Sequence, residues 1–292
     1  MCGYIAAEWL IIMKKGINIW SFPAGTLKDT FRLAKDAGFE GVEVALDENA
    51  GEIHLGSTEK DLLQIRNMAE DMGLALYSVS SGLYWSYWLN DEDEKSRQKA
   101  KDIVVRQLEV ASVLGSESIL VIPGCVNAEF AAPGKVMDYG KTYQRSMESL
   151  LELKAHAEKY KIDIALENVW NKFLLSPMEM RDFIDKIDSP YVGSYLDIGN
   201  TLLTGFPEHW IDLLGKRIKK VHFKDYRMEA GGLHGFVDLL AGDVNYPAVV
   251  EALNKVGYDG WVSAEMIPNY KYHTETIIYN TSNAMDAILG RR

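Results

Sequence analysis

Four short apolar runs in the second half of the chain each end on a side chain that can ligate a metal or move a proton. They read Ala165-Leu166-Glu167-Asn168, Tyr195-Leu196-Asp197-Ile198-Gly199-Asn200, Val221-His222-Phe223-Lys224-Asp225 and Ser263-Ala264-Glu265-Met266. One such carboxylate alone is as well explained by a helix cap or a pairing with lysine. Ligand-type residues at the same relative place in four successive runs form a joint pattern that chance seldom makes. If the fold brings them together, three carboxylates crowd one partly dry cavity, and each raises the pKa of the others unless a cation neutralises them. A divalent metal held by Glu167, Asp197, His222 and Glu265 removes the conflict. Two glutamates, an aspartate and a histidine make a mixed oxygen and nitrogen set that favours Mn²⁺ and also accepts Mg²⁺, Co²⁺ or Zn²⁺; the thiolates of a structural zinc site are missing.

From Lys15 onward, short β-branched or aromatic runs alternate with longer amphipathic segments, without a linker-like stretch. The strand-like runs are Gly16 to Phe22, Gly41 to Leu46, Leu74 to Ser80, Ser118 to Ile122, Asp163 to Glu167, Val192 to Asp197, Lys220 to Asp225 and Trp261 to Met266. Each is short and mostly apolar, as strands covered on both faces are. Between them, apolar residues fall at helical spacing near Leu27 to Ala37, Glu59 to Met72, Glu94 to Leu114, Tyr139 to Tyr160, Pro177 to Lys186, His209 to Leu214, Pro247 to Val256 and Tyr272 to Leu289. In the first of these, Leu27, Phe31, Leu33, Ala34 and Ala37 give one inward stripe, and Gly38 stops the helix. Repeated strand and helix demand parallel pairing with right-handed crossovers, and eight units favour a closed (β/α)8 TIM barrel over a doubly wound open sheet. Such a barrel takes about 250 residues, which the chain from Lys15 supplies, and its site is built at the C-terminal ends of the strands. No GxGxxG follows the first strand, which weighs against a dinucleotide-binding sheet.

The expected organisation is an N-terminal extension over 1–14 and a single α/β barrel domain over 15–292. The extension carries Trp9-Leu10-Ile11-Ile12-Met13, far short of the roughly 20 apolar residues that span a bilayer. Lys14 and Lys15 follow this run, the reverse of a secretory leader, and a start at Met13 would remove it. With 42 acidic against 31 basic residues the formal charge is −11. That charge repels phosphate backbones and anionic lipid, so neither nucleic acid nor membrane is an expected partner. The 2 cysteines, Cys2 and Cys125, make neither a disulfide framework nor a cysteine zinc site, and a cytoplasmic setting is the default.

The four runs above, together with Gly242-Asp243-Val244-Asn245-Tyr246 and with Gly257-Tyr258-Asp259-Gly260-Trp261 leading into Ala264-Glu265, carry a family likeness. From Lys15 to the C-terminus the chain resembles the xylose-isomerase-like barrel superfamily in its sugar phosphate isomerase/epimerase branch, which holds ketose 3-epimerases and L-ribulose-5-phosphate 3-epimerase-like proteins. The resemblance implies a metal on Glu167, Asp197, His222 and Glu265, with Glu167 and Glu265 doubling as acid and base. A ketose chelated through its C2 carbonyl and C3 hydroxyl has an acidified C3 proton. A glutamate on each side of C3 would take that proton from one face and return it to the other, giving epimerisation. Return to a neighbouring carbon on the same face would give aldose–ketose isomerisation. Two positions depart from the free-ketose 3-epimerases. Those enzymes carry a substrate-binding glutamate six residues after the first ligand, where this chain has Phe173, and a histidine three residues after the aspartate, where it has Asn200. Asn200 still offers a hydrogen bond to a substrate hydroxyl.

Further residues are candidates for the same mouth. Arg227, just past the seventh strand, is either a planar fork for a hydroxyl or phosphate or an ordinary loop arginine. Lys224 and Asp225 would orient His222 or pair with each other. His54 follows the second strand, and His234 sits in the loop Gly231-Gly232-Leu233-His234-Gly235; for both a surface role is the plainer reading. Trp20 and Phe22, with Tyr84, Trp85, Tyr87 and Trp88, would wall a sugar, although so dense a run also suits a homo-oligomer interface. The expected partner is a small-molecule sugar or sugar phosphate. Three rival functions stand beside the epimerase. An inosose-type dehydratase would expel a β-hydroxyl from the same enediolate. An abasic-site endonuclease needs several strand-end histidines that the third and fourth strands do not supply. A non-catalytic sugar-binding protein needs no acid/base pair.

Overall fold

Ten strands and nine helices follow one another along the chain in a computed structural model that describes residues 12–291. The strands are β1 (Lys14–Asn18), β2 (Gly41–Ala45), β3 (Ala75–Ser80), β4 (Ser118–Val121), β5 (Asp163–Glu167), β6 (Val192–Asp197), β7 (Ile218–Phe223), β8 (Asp225–Tyr226), β9 (Phe236–Val237) and β10 (Trp261–Ala264). The helices are α1 (Leu27–Asp36), α2 (Glu59–Asp71), α3 (Glu94–Leu114), α4 (Tyr139–Tyr160), α5 (Pro177–Ile187), α6 (Ile198–Thr201), α7 (Pro207–Leu214), α8 (Tyr246–Lys255) and α9 (Thr276–Ile288). Eight parallel strands close on themselves in the order β1, β10, β7, β6, β5, β4, β3, β2, while β8 and β9 form a small antiparallel hairpin. The expected single-domain (β/α)8 barrel is therefore the fold.

Local signals explain the elements. Thr26 and Thr58 cap α1 and α2 by accepting from the N–H groups of Asp29 and Asp61, and Asp93 and Asp138 do the same for α3 and α4. Gly38 follows α1 at φ +86°, a conformation in which a side chain is strained. The main core lies between strands and helices and includes Phe31, Val42, Leu108, Ile164, Phe183 and Leu196. Each such side chain contributes about 1.5–3 kcal/mol on burial. Inside the barrel, Leu120, Ala165 and Tyr195 make a separate small cluster. Towards the start of the strands Tyr77 stacks on Trp261 at 4.2 Å. A Cβ on Gly16 would lie 2.4 Å from the Tyr77 hydroxyl, so only glycine admits this plug.

Several expected bounds shift for visible reasons. β1 starts at Lys14 and Met13 is buried in the core, so the barrel begins ahead of the boundary drawn at 14/15. Residues 1–11, the rest of the expected extension, lie outside the described residues. The first strand stops at Asn18 rather than Phe22, because the Asn18 side chain accepts from Trp20 N–H and turns the chain into a single 3₁₀ turn. The seventh strand runs 218–223 rather than 220–225, since Asp225 and Tyr226 leave the barrel to pair with Val237 and Phe236. Among the described residues no helix is long and apolar enough to cross a membrane.

Candidate metal centre

Register places the four ligand-type residues together. Asp197 stands beside His222 across β6 and β7, Glu167 ends β5 beside Tyr195, and Glu265 follows Ala264, which pairs with Phe223. One ligand atom from each of Glu167, Asp197, His222 and Glu265 lies within 4.8 Å of the others, and all four residues are buried. Asp197 serves two purposes. Its Oδ1 accepts from Asn200 N–H at 2.8 Å and caps the short α6, while its Oδ2 accepts no hydrogen bond and faces the cluster. Asn168 fixes the backbone there, donating from Nδ2 to Asp197 O and accepting from Asp197 N–H.

The decisive partner of His222 is Glu43, on β2. His222 Nε2 lies 2.8 Å from Glu43 Oε1, which also accepts from Asn18 Nδ2 at 2.5 Å. A carboxylate on Nε2 holds the proton there, and Nδ1 is left without a hydrogen-bond partner. That nitrogen sits 3.4 Å from Glu167 Oε1, 3.8 Å from Glu265 Oε2 and 3.9 Å from Asp197 Oδ2. An imidazole nitrogen facing three carboxylate oxygens, once it gives up its proton, completes a donor set that fits a divalent cation of the Mn²⁺, Mg²⁺, Co²⁺ or Zn²⁺ kind. Glu43 escaped sequence reasoning because it lies mid-strand in Gly41-Val42-Glu43-Val44-Ala45, on a strand that ends without a ligand; a charged residue inside a buried strand was the available signal.

Lys224 is the cation already in the cluster. Its ammonium is 3.0 Å from Asp197 Oδ2 and pairs closely with Glu265 Oε2. Burial works against its charge, but the carboxylates of Asp197, Glu265 and Glu167 outweigh burial and raise its pKa. Burial raises Glu167 to about 7, with Glu265 and Asp197 adding to the rise and the His222 hydrogen bond opposing it. Burial also raises Asp197, against the pull of Lys224. Glu265 is lowered in spite of burial, because Lys224 and His222 favour its charge. His222 is likewise buried, yet Glu43 and Glu265 hold it well above the ordinary histidine range while no metal occupies Nδ1. Four carboxylates, counting Glu43, thus share one lysine, an imbalance that a divalent ion corrects.

The other expected site residues separate. Trp20 and Trp85 are half-buried, and Trp85 meets Phe130 edge-on at 4.8 Å. Asn200 is buried beside the cluster, with Nδ2 donating to Asn168 O. His54 turns to its own loop, where Nδ1 accepts from Gly56 N–H. Arg227 is exposed and donates to Ala241 O. Lys224 and Asp225 do not act as expected: Lys224 pairs with Asp197 and Glu265, and Asp225 accepts the N–H groups of Tyr226, Leu240, Gly242 and Val244. Asp225 therefore staples the loop of the Gly242-Asp243-Val244 motif, and a Cβ on Gly242 would come within 2.2 Å of Asp225 Oδ1. Orientation of His222 falls to Glu43.

Comparison with known proteins agrees with the barrel fold. L-ribulose-5-phosphate 3-epimerase UlaE of Escherichia coli (strain SE11) is 24% identical over 255 residues, which covers 86% of this chain and 86% of UlaE. The crystal structure of a D-psicose 3-epimerase in the presence of D-fructose shares the fold at a TM-score of 0.78 and 18% identity, covering 95% of this chain and 100% of that one. The IOLI protein with a bound zinc atom shares it at a TM-score of 0.78 and 18% identity, covering 96% and 99%. Residues 31–284 match the xylose isomerase-like TIM barrel family, and the chain belongs to it.

Proposed function

We propose that the protein is a divalent-metal-dependent epimerase or isomerase of a small sugar, moving a proton between Glu167 and Glu265 at the carbon beside a carbonyl. The observation that carries this reading is the convergence of four donor atoms within 4.8 Å, with His222 Nδ1 kept free by the Glu43 contact to Nε2. Glu167, Asp197, His222 and Glu265 would hold the ion, with Mn²⁺ the favoured occupant of this oxygen-rich donor set. When bound, the ion supplies a Lewis acid that stabilises negative charge on the substrate as the proton leaves.

The remaining work belongs to side chains. Each glutamate has two oxygens, so one that spends an oxygen on the ion keeps another for the proton. Without the ion, Lys224 and His222 favour the ionised form of Glu265 and burial the protonated form of Glu167; a bound divalent cation would favour the ionised form of both, so either glutamate could start as the base. The Asn200 amide nitrogen is committed to Asn168, which leaves its carbonyl oxygen as the acceptor for a substrate hydroxyl. Trp20 and Trp85 offer half-buried faces on which a sugar stacks. The name of UlaE, a ketose phosphate 3-epimerase, supports the reaction class.

The test is hydrogen exchange. Metal-loaded protein is incubated with pentuloses, hexuloses and their phosphates in D₂O, and NMR reports which carbon acquires deuterium. Exchange next to the carbonyl is expected, and Glu167→Gln and Glu265→Gln should each abolish it. Tight metal and sugar binding without exchange would leave a binding protein, and enone absorbance after addition of inosose would make the protein a dehydratase.

A further inference from the structure

Beside the ligand cluster lies a cavity of about 320 Å³, off the barrel axis over β5 and β6. Its walls are mostly rings and aliphatic chains: Phe130, Trp170, Phe173, Leu174, Leu203 and Trp210. Two lining residues join it to the metal centre. Asn168 follows Glu167 and exchanges two hydrogen bonds with the Asp197 backbone, and Asn200 N–H donates to the Asp197 carboxylate. Cavity and metal centre therefore share a wall.

The polar groups of the cavity specify what fits. Trp210 is only 2% exposed, and its indole N–H has no acceptor. That nitrogen is itself buried, so the ring serves the cavity as an apolar wall. Lys172 lines the cavity, but its ammonium already donates to Asn127 Oδ1 at 2.8 Å. The Glu129 carboxylate lines it too and accepts from Asn127 Nδ2. Among the described lining residues, an anion would meet one engaged lysine and one carboxylate. An uncharged apolar group meets complementary walls.

We propose that this cavity is a subsite for an uncharged, apolar substituent of the substrate, an alkyl or aryl group packed against its rings and aliphatic chains. The assignment rests on the metal-centre reading above and narrows it to a substrate class, sugars with an apolar end rather than sugar phosphates.

Three probes on one scaffold test it: D-fructose, D-fructose 6-phosphate and 6-O-phenyl-D-fructose. Binding to the metal-loaded full chain is followed by tryptophan fluorescence, since Trp170 and Trp210 line the cavity, and turnover by deuterium exchange. The phenyl ether should bind about tenfold or more tighter than fructose, as burial of an apolar ring predicts, with the phosphate no tighter than fructose. Leu203→Glu, which places a charge at an exposed rim position, should reduce the phenyl preference to about twofold or less. Phe130→Ala should weaken the phenyl ether several-fold by removing an exposed ring from the wall. Tightest binding of the phosphate, equal binding of all three, or a phenyl preference untouched by both variants would overturn the proposal. Exchange on fructose without a phenyl preference removes the subsite and leaves the metal centre standing. A phenyl preference abolished by Leu203→Glu, with exchange on none of the probes, removes the enzyme reading and leaves the subsite.

Discussion

Replacing one proposed catalytic glutamate should stabilise the metal-free protein. Glu167 titrates at about 7 in the folded chain against an ordinary value of 4.5, raised first by burial and then by Glu265 and Asp197. Between those two values the folded chain binds more protons than the unfolded chain, so stability falls as pH rises from 4.5 to about 7 and the full penalty holds above 7. At 1.36 kcal/mol per pH unit the penalty is about 3 kcal/mol. Glu167→Gln keeps the shape and removes the charge. In chelator-treated protein unfolded by urea, the stability of Glu167→Gln relative to wild type should grow by about 3 kcal/mol between about pH 4.5 and about pH 7.5. Raised Asp197 and His222 titrate in the same direction as Glu167 and lowered Glu265 in the opposite one, and because these groups touch Glu167 the difference between variant and parent includes their response to its removal. Mn²⁺ at about a thousand times its Kd should then add about 4 kcal/mol to the wild type, and less to the variant, which lacks a ligand. A difference that stays flat across this pH window would refute the crowding of carboxylates on which the metal centre rests.

Glu43→Gln should weaken metal binding by about 10–100-fold, because Nε2 loses the carboxylate that makes Nδ1 a strong ligand; calorimetric titration with Mn²⁺ measures this, and an unchanged Kd would sink the role given to Glu43. Lys224→Met leaves Asp197 and Glu265 buried without their cation, so the metal-free form should lose about 3–5 kcal/mol, most of it recovered when Mn²⁺ is present. Equal loss with and without metal in thermal melts would show that Lys224 acts on packing alone. Gly242→Ala should cost about 1–3 kcal/mol by driving a methyl into the Asp225 carboxylate, with faster hydrogen exchange confined to 238–244; protection unchanged there contradicts the staple.

The barrel was legible because periodicity and glycine stops repeat eight times, and the same repetition put four ligand-type residues at equivalent strand ends. α6 was not legible: four residues are too few to show a helical rhythm, and its cap, Asp197, was already assigned to the metal. That residue fulfils both readings, one oxygen capping and the other facing the cluster. The β8–β9 hairpin was hidden for a similar reason, since two residues on each arm carry no alternation. Glu43 and the correct partners of Lys224 depend on contacts 179 residues apart in one case and 27 and 41 in the other. Such pairings follow from closure of the barrel and leave no trace in local sequence.

The substrate end of the site differs from the metal end in how firmly the chain commits to it. Phe173, which stands where the free-ketose 3-epimerases carry a glutamate, is buried and meets Tyr139, Tyr143 and Phe183 edge-on at 5.7, 6.4 and 5.9 Å. A carboxylate placed there would be enclosed by rings, with the nearby Lys172 ammonium already bound to Asn127. The aromatic residue is therefore part of how the loop after β5 packs, and α4 and α5 are built around it. Asn200 is tied through its side-chain nitrogen, which donates to Asn168 O, and through its backbone carbonyl, which accepts from Trp170 Nε1 at 3.2 Å, so that only its side-chain oxygen is left for a ligand. Both positions thus commit more to the protein than to a polar sugar tail. The proposed ion-binding end keeps its donors facing one another at the cost of stability, while the neighbouring cavity is lined with apolar surface, the combination that the proposed chelation of one substrate end and fit by shape at the other would use.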